Sequence, residues 1–564
     1  MIIPLVNNLS AMKSRLANLK NIFLQNKLSF LNFLILLIGI FWLKEINYLF
    51  YDTLQSPDID KYIVYFDHFF NNQTTNKEHG LMYYYLHSLN YSFLYSDLNN
   101  FDFFIHKSIQ QVNFYIFIFG LFGYYFLLRY LNFSLNVIFL TLLFINFFPP
   151  SISMRLVYKP EILAFALLPW IIYLLEQFLK SRNIANLFIS IPMIVTALTI
   201  KGNVLVIIAI YLFFSYFKIF FIAPKKYLAL LFLISLMSFT ALSLENNIAN
   251  GKSILDIQSG STIEENYNFK APFSVIYKTD MYGLFSSPIK HDHAESFFGI
   301  TLLETSGDYF DLYWDNDASG FFKNRRQIFS FVQSNEIKGP ELNPTNSGII
   351  VYQQRMTDVY LYEAIGLLLS IFLFYSLLVS SIKKTKYRKF LLASFVGMGV
   401  LLFHSITGIP KNNFDPLVGD TFKPLYYSFV LIFSFTILIA TKLSEKYKKI
   451  FNLAIYLILV VFILGFPKNA EFVPDINMIQ KIQSSLFCPV EKIVYLDSQD
   501  FSSVNCGVNN ISQNINIESN LYLNKIQHKP INFLFITLNL LTALYLVFRK
   551  KLSKNRRLVS IVKE

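Results

Sequence analysis

Long apolar runs recur along this chain, and their length is the feature that most limits how it folds. About twelve of them approach the roughly 20 residues that cross a bilayer as a helix. Only 15% of the residues are charged, whereas soluble proteins carry about 25%. The sequence therefore predicts an all-α polytopic membrane protein with about 12 transmembrane helices. Their approximate cores are 28–43, 109–128, 133–148, 161–179, 185–200, 203–220, 227–244, 359–381, 389–408, 424–441, 450–466 and 531–548.

The basic residues predict the orientation of these helices. The net charge of +13 is concentrated in short clusters beside the apolar runs, such as "KKTKYRK" from Lys383 and "RKKLSKNRR" from Arg549. With the N-terminus in the cytoplasm, the alternation of helices places nearly every cluster on the cytoplasmic side. This clustering argues against a nucleic-acid partner. It predicts insertion into the bacterial cytoplasmic (inner) membrane, with membrane lipids as partners.

The same alternation divides the chain into membrane and outer segments. The segment 245–358 is rich in Asp, Asn, Gly and Ser, so we expect an ordered cap of small α or mixed structure. Cys488 and Cys506 share a second outer segment, where a structural disulfide is the favoured state. In chain order the predicted units are an amphipathic cytoplasmic N-terminus (1–27), an N-terminal transmembrane module (28–244) with first outer loop 44–108, the cap (245–358), further transmembrane helices (359–466), the second outer segment (467–530), and a last helix with a basic cytoplasmic tail (531–564).

Ionisable residues from distant parts of the chain converge on the predicted outer face. Charged groups near a membrane are costly and tend to line a cavity. Carboxylates and cations gathered at one face predict a site for a ligand with an anionic headgroup. They are Asp58 and Asp60 in "SPDIDKY", Arg155, Lys159 and Glu161 in "SMRLVYKPE", Lys201 in the turn after the fifth run, and Asp420 and Lys423 in "TGIPKNNFDPLVGDTFKP".

Most of these residues also have a structural interpretation. Asp58 and Asp60 follow Ser56 and Pro57, a sequence typical of a helix start, so they could cap a helix in the loop. Glu161 directly follows Pro160 and could cap the fourth predicted transmembrane helix. Arg155 and Lys159 could be anchors whose charged ends reach water at the membrane surface. The histidines of the first outer loop match no zinc-ligand spacing, so no metal site is predicted there.

The first half of the chain resembles the GT-C superfamily of integral-membrane glycosyltransferases. An acidic pair opens the large outer loop after the first helix, and "PPSISMRLVYKPEILAFAL" is similar to the outer hairpin of the family. "EHGLMYYYLHSL" is similar to the His-Pro-Pro-Leu-type segment of protein mannosyltransferases and lipid A aminoarabinose transferases, although Gly80 and Leu81 follow His79 instead of prolines. The stretch 79–95 is expected to lie as a helix in the membrane interface. The second half shares only the architecture.

The resemblance implies a polyprenyl-phosphate-linked sugar as donor and transfer to a lipid, glycan or protein acceptor on the extracytoplasmic face. The acceptor hydroxyl needs a base, and the departing lipid phosphate needs positive charge. No cofactor is certain, and a divalent metal requirement stays open. The implied roles are Asp58 as base with Asp60 second, Arg155, Lys159, Lys201 and Lys423 on the donor phosphate, and His79, Glu161 and Asp420 on sugar or acceptor.

Two other functions fit the same topology. A transporter or flippase of lipid-linked glycans is expected to have broken helices, paired charges near mid-membrane and often internal repeats. Here the charges cluster at one face and no repeat is evident. A surface-polysaccharide polymerase or ligase shares the outer-face site and differs mainly in donor size, so the topology does not separate it from the first function.

Overall fold

The structure, a computed structural model, describes most of the N-terminal module and parts of the remainder. The described part is predominantly helical. The residues described are 27–42, 44, 82–94, 101–156, 159–181, 183–200, 210–211, 279–286, 293, 296–306, 327–330, 348–383, 387–407, 428–444, 451–453, 455–457 and 470–474. The helices are α1 (Lys27–Trp42), α2 (Met82–Leu94), α3 (Phe101–Tyr130), α4 (Leu135–Phe147), α5 (Pro149–Leu156), α6 (Glu161–Ser181), α7 (Ile184–Ile200), α8 (Met281–Ser286), α9 (Phe297–Ser306), α10 (Met356–Ile382), α11 (Arg388–Thr407) and α12 (Ser428–Ser444).

Three of these helices are long and apolar enough to cross a membrane: Ser108–Tyr130 within α3, Glu161–Ser181, and Ala364–Ile382 within α10. Large apolar side chains are exposed on the outside of the bundle, including Phe30 on α1 and Tyr375 on α10. Such surfaces are unfavourable in water and suit a lipid environment. The prediction of a helical membrane protein is confirmed at this level. The count of 12 spans stays a prediction, because several of the predicted runs lie outside the described residues.

The bundle is built around α6, whose side chains are almost all buried. It packs against α3, α7 and α12. It lies close to α3 at Gly120, where an added Cβ atom would be 2.6 Å from Phe165 Cε1 and 3.0 Å from Ala166 Cα. Near this crossing, Trp170 Nε1 donates a hydrogen bond to the Phe119 carbonyl (3.1 Å). Small residues at membrane helix crossings allow such close backbone contact.

The turn between α3 and α4 follows from two local signals. Asn132 has φ 66°, a left-handed conformation that asparagine tolerates better than most residues. The Phe133 amide donates to the Leu128 carbonyl (3.2 Å), which closes the end of α3 as a Schellman-type cap. Ser134 then caps α4 by accepting a bond from the Val137 amide. These bonds reverse the chain in a few residues and set α4 antiparallel to α3.

Three chain segments lie together at one end of the bundle: the one after α3, the one after α6 and the one before α11. Each carries basic residues that are predicted to be cytoplasmic. The Tyr130 hydroxyl at the end of α3 donates to the Glu176 carbonyl (2.8 Å), and the Tyr387 hydroxyl donates to the Leu131 carbonyl (3.0 Å). Lys389 forms an ion pair with the Glu176 carboxylate, which also accepts a bond from Tyr211 (2.7 Å). We call this the Glu176 end. Its loops lie together as the charge pattern predicts, while the side of the membrane that it faces stays a prediction.

The ion pair of Glu176 with Lys389 joins α6 to α11 across 213 positions of sequence. Replacing Glu176 with glutamine or Lys389 with methionine is expected to lower the stability of the helix bundle. A double-mutant cycle of the two changes should give a coupling free energy of about 1 kcal/mol, since Lys389 is partly exposed to solvent. Thermal unfolding midpoints in detergent would measure it. A coupling free energy of zero at low salt would show that the ion pair does not stabilise the contact between α6 and α11.

A small antiparallel sheet joins the predicted outer segments 245–358 and 467–530. Its strands are β1 (Gln327–Ser330), β2 (Gly348–Arg355) and β3 (Ala470–Pro474), in the order β1-β2-β3. The central strand β2 pairs with β3 from Gly348 opposite Pro474 to Tyr352 opposite Ala470. The segments that the sequence treats as separate units therefore share one sheet. Because β2 runs directly into α10, the sheet lies at the N-terminal end of that helix.

Candidate functional site

Three of the nine predicted site residues are described by the structure: Arg155, Lys159 and Glu161. All three side chains are buried, and Arg155 is fully inaccessible. The interpretation of Arg155 and Lys159 as anchors with solvated charged ends is therefore wrong. The remaining predicted residues lie outside the described part of the chain; they are Asp58, Asp60, His79, Lys201, Asp420 and Lys423.

Arg155 lies at the end of α5 and is held by the corner that joins α4 to α5. Its Nε donates to the Ser151 carbonyl (3.3 Å), and its two terminal nitrogens donate to the Asn146 Oδ1 (3.3 Å) and the Asn146 carbonyl (2.9 Å). The guanidinium lies 4.3 Å from the centroid of the Phe117 ring. We call this group, with Asn113 and Tyr83, the Arg155 site.

The acceptors that hold Arg155 are all neutral oxygens. A guanidinium has five N–H donors, and three nitrogen atoms account for the three bonds observed, which leaves two N–H groups without an acceptor among the described residues. Within the same part of the chain, Arg155 has no ion pair with a carboxylate. Two further buried polar atoms beside it, Asn146 Nδ2 and Ser151 Oγ, have no hydrogen-bond partner in the described structure. Arg155 is therefore a buried cation with two N–H donors that have no acceptor among the described residues.

Burial lowers the pKa of the Arg155 guanidinium to about 9, so the side chain stays protonated at neutral pH. Removing a charge from water without a counter-ion opposes folding. Because a hydrophobic residue of similar volume would avoid this cost, the charge needs another explanation. Buried charges of this kind are typical of sites that bind an oppositely charged ligand. An anion is the ligand that would complete the Arg155 site.

Helix α2, which belongs to the predicted first outer loop, contributes to this site. The Tyr83 hydroxyl donates to Asn113 Oδ1 (2.9 Å), and Asn113 Nδ2 donates to the Arg155 carbonyl (3.3 Å). The His87 ring lies 4.4 Å from the Tyr83 ring and is buried. Helix α2 packs against α3 and α7, and the expectation that 79–95 lies along the membrane interface stays a prediction. Through Tyr83, α2 contacts a polar group of another helix.

His87 gives a pH dependence that can be tested. Burial lowers its pKa to about 3, against a smaller opposing effect of a hydrogen bond with Asn113, so folded His87 is neutral. In the unfolded chain it gains a proton below about pH 6.5. The unfolded state then binds more protons than the folded state. The free energy of unfolding is therefore expected to fall as the pH is lowered from 6.5 to 3, by up to about 1.4 kcal/mol per pH unit.

Thermal midpoints measured in detergent from pH 7 to pH 4 would test this. His87→Gln keeps a polar side chain and removes the titration, so its midpoint should fall less steeply than that of the wild type. Equal slopes for the two proteins would show that His87 does not titrate in this way.

Two apolar cavities flank α3 beside the Arg155 site. One of about 330 Å³ lies between α2, α3, α6 and α7, and Val112 lines it. The other, of about 500 Å³, lies between α1, α3 and α4, and Phe114 lines it. Asn113, between these two residues, contacts Arg155. Asn113 makes this contact with the main-chain carbonyl of Arg155, and Arg155 itself is not among the residues that line either cavity. Three consecutive residues of α3 thus contact one cavity, the Arg155 backbone and the other cavity.

Sequence reasoning did not identify the residues that hold Arg155. Asn113 and Asn146 are polar residues within predicted spans, and this was the signal that could have marked them. Glu161 is the first residue of α6, where a carboxylate interacts favourably with the helix N-terminus, so its capping interpretation fits its position. Within the described residues, no three His, Cys, Asp or Glu side chains come together as a metal site.

No family model matches this chain, and no curated protein or solved structure matches it.

Proposed function

We propose that this protein is a GT-C-like membrane glycosyltransferase that moves a sugar from a polyprenyl-phosphate carrier to a lipid, glycan or protein acceptor on the extracytoplasmic face. The observation that carries the proposal is the buried charge of Arg155, which has no ion pair among the described residues, together with two apolar cavities on either side of the α3 segment at Asn113. A ligand that fits both features has an anionic phosphate and a long hydrocarbon chain. A lipid-linked sugar phosphate has this chemistry.

In the proposed reaction the acceptor hydroxyl attacks the anomeric carbon of the sugar. The bond from that carbon to the phosphate oxygen breaks, and polyprenyl phosphate leaves with the bonding electrons. Asp58 accepts the hydroxyl proton, with Asp60 as second candidate. Arg155 stabilises the negative charge that develops on the departing phosphate. Lys159, Lys201 and Lys423 add positive charge, and His79, Glu161 and Asp420 contact the sugar or the acceptor.

The position of α1 supports a role for Asp58 near Arg155. Gly39, close to the end of α1, lies against Asn146, and an added Cβ atom there would be 3.2 Å from Asn146 Nδ2. The chain therefore leaves α1 beside the Arg155 site, and Asp58 follows after a short stretch of sequence. An extended chain spans up to about 3.5 Å per residue, which is ample reach for a return to the site.

The test is a transfer assay with purified protein in liposomes. A panel of radiolabelled polyprenyl-phosphate sugars serves as donor and a membrane extract as acceptor. Wild type should move label into product. Asp58→Asn should reduce transfer about 100-fold, because an amide accepts no proton. Asp52→Asn, a matched change in the same loop, should transfer at the wild-type rate.

Two results would overturn the proposal. Translocation of a lipid-linked glycan across the liposome membrane, with no transfer from any donor, would indicate a flippase. Growth of a glycan chain from lipid-linked repeat units, with no transfer of single sugars, would indicate a polymerase.

A further inference from the structure

Part of the segment 245–358 lies at the depth of a membrane-spanning helix. Leu284 of α8 and Leu303 of α9 form a buried cluster with Leu367 of α10, and Ile371 packs against it. Leu367 and Ile371 both belong to the apolar part of α10 that is long enough to cross a membrane, Ala364–Ile382. The α8–α9 helix pair therefore packs on the apolar part of α10 that is long enough to cross a membrane.

The outer surface of this helix pair is apolar. Tyr282 is 84% exposed, and Met281, Phe285 and Phe298 are each more than 40% exposed. On α10, one residue beyond each of the contacts Leu367 and Ile371, Leu368 and Phe372 are also exposed. The exposed apolar surface of the pair thus continues the lipid-facing surface of a spanning helix. Aromatic side chains are enriched where proteins meet the membrane interface.

Side-chain oxygens cap the starts of both helices of the pair, which satisfies backbone donors that would be costly to leave unpaired in lipid. Asp280 Oδ1 accepts a bond from the Gly283 amide (2.9 Å), and Ser296 Oγ accepts one from the Gly299 amide (3.0 Å). These bonds cap the starts of α8 and α9. The Thr279 and Ser296 hydroxyls lie 3.1 Å apart and link the two capped ends. Further along the pair, the hydroxyls of Ser286, Thr301 and Thr305 each donate to a backbone carbonyl of their own helix.

We propose that α8 and α9 insert into the lipid leaflet at the Arg155 end of the bundle, with Met281, Tyr282, Phe285 and Phe298 in contact with bilayer lipids. The end is set by α9, which packs against α5, the helix that carries Arg155. This assignment differs from the sequence expectation of an entirely extramembrane cap. It also places the membrane surface near the level of Arg155. It does not depend on the proposed transferase activity.

The test measures the environment of position 282 by fluorescence quenching. Tyr282→Cys, in a chain with Cys488→Ser and Cys506→Ser, is labelled with an environment-sensitive fluorophore and reconstituted into phosphatidylcholine–phosphatidylglycerol vesicles. Nitroxide-labelled lipids quench from the bilayer, and iodide quenches from water. Tyr375→Cys on α10, 65% exposed, is the lipid-facing control. Asn183→Cys, exposed between α6 and α7, is the water-facing control.

Label at position 282 is expected to be quenched by shallow nitroxide lipids at least about twofold more than label at position 183, with iodide quenching reduced to a similar extent. Phe298→Cys should give the same result from α9. Iodide quenching equal to that at position 183 would overturn the proposal by placing the pair in water. Protection from both quenchers would also overturn it, because a protein surface would then cover the pair.

Discussion

Replacing Arg155 with methionine is expected to reduce sugar transfer about 1,000-fold while the protein stays folded. The substitution removes the buried charge proposed to stabilise the departing phosphate. Methionine retains a long side chain that can cover Phe117, over which the guanidinium now lies. Exchanging a buried charge for an apolar side chain is often neutral for stability or favourable. Transfer rates from a polyprenyl-phosphate sugar, with thermal midpoints of the same preparations, would measure both effects.

Two control variants make the Arg155 result specific. Arg155→Lys keeps a positive charge but not the planar fork that reaches Ser151 and both Asn146 oxygens, so an intermediate loss of about tenfold is expected. Lys389→Met removes a cation at the Glu176 end and should leave transfer per folded molecule unchanged. A sharp drop in the midpoint of Arg155→Met, with normal transfer by the remaining folded protein, would show that Arg155 only fastens the α4–α5 corner.

Replacing Gly120 with alanine is expected to destabilise the protein by about 3 kcal/mol. The new methyl group would lie 2.6 Å from Phe165 Cε1 and 3.0 Å from Ala166 Cα. The Phe165 ring cannot easily move, because it stacks on Phe117 (5.3 Å between centroids) and contacts Tyr124 (5.4 Å). The backbone at Ala166 cannot rotate away either. The α3–α6 crossing must open, and since Phe117 lies under Arg155, transfer should fall as well.

Gly399→Ala is the matched control for this change. Gly399 lies within α11, and an added Cβ atom there meets no other atom within 4 Å. Alanine favours a helix over glycine by about 1 kcal/mol, so this variant should be neutral or slightly more stable. Thermal midpoints of both variants in one detergent would make the comparison. An equal drop in the thermal midpoint at both positions would show that the loss comes from replacing a helical glycine and not from the contact between α3 and α6.

Three residues of the candidate site are evident in the sequence, but their surroundings are not. Arg155, Lys159 and Glu161 were identified because charges beside apolar runs stand out locally. Their burial was not predicted, because an interface anchor and a buried cation have the same local sequence. The packing of α2 against other helices is equally hard to predict, because its tyrosines and His87 suit either lipid headgroups or polar groups of neighbouring helices. The exposed apolar side chains of α8 and α9 were missed because the surrounding segment is polar on average.

The sequence by itself determined that this chain forms membrane helices. Each helix satisfies its own backbone hydrogen bonds, so a run of about 20 apolar residues is sufficient information. Only the tertiary structure decided that Asn146 and Ser151 hold Arg155, that Tyr83 reaches Asn113, and that α6 crosses α3 at Gly120. These contacts join separate segments, and they depend on the packing and rotation of whole helices, which no local pattern of residues encodes.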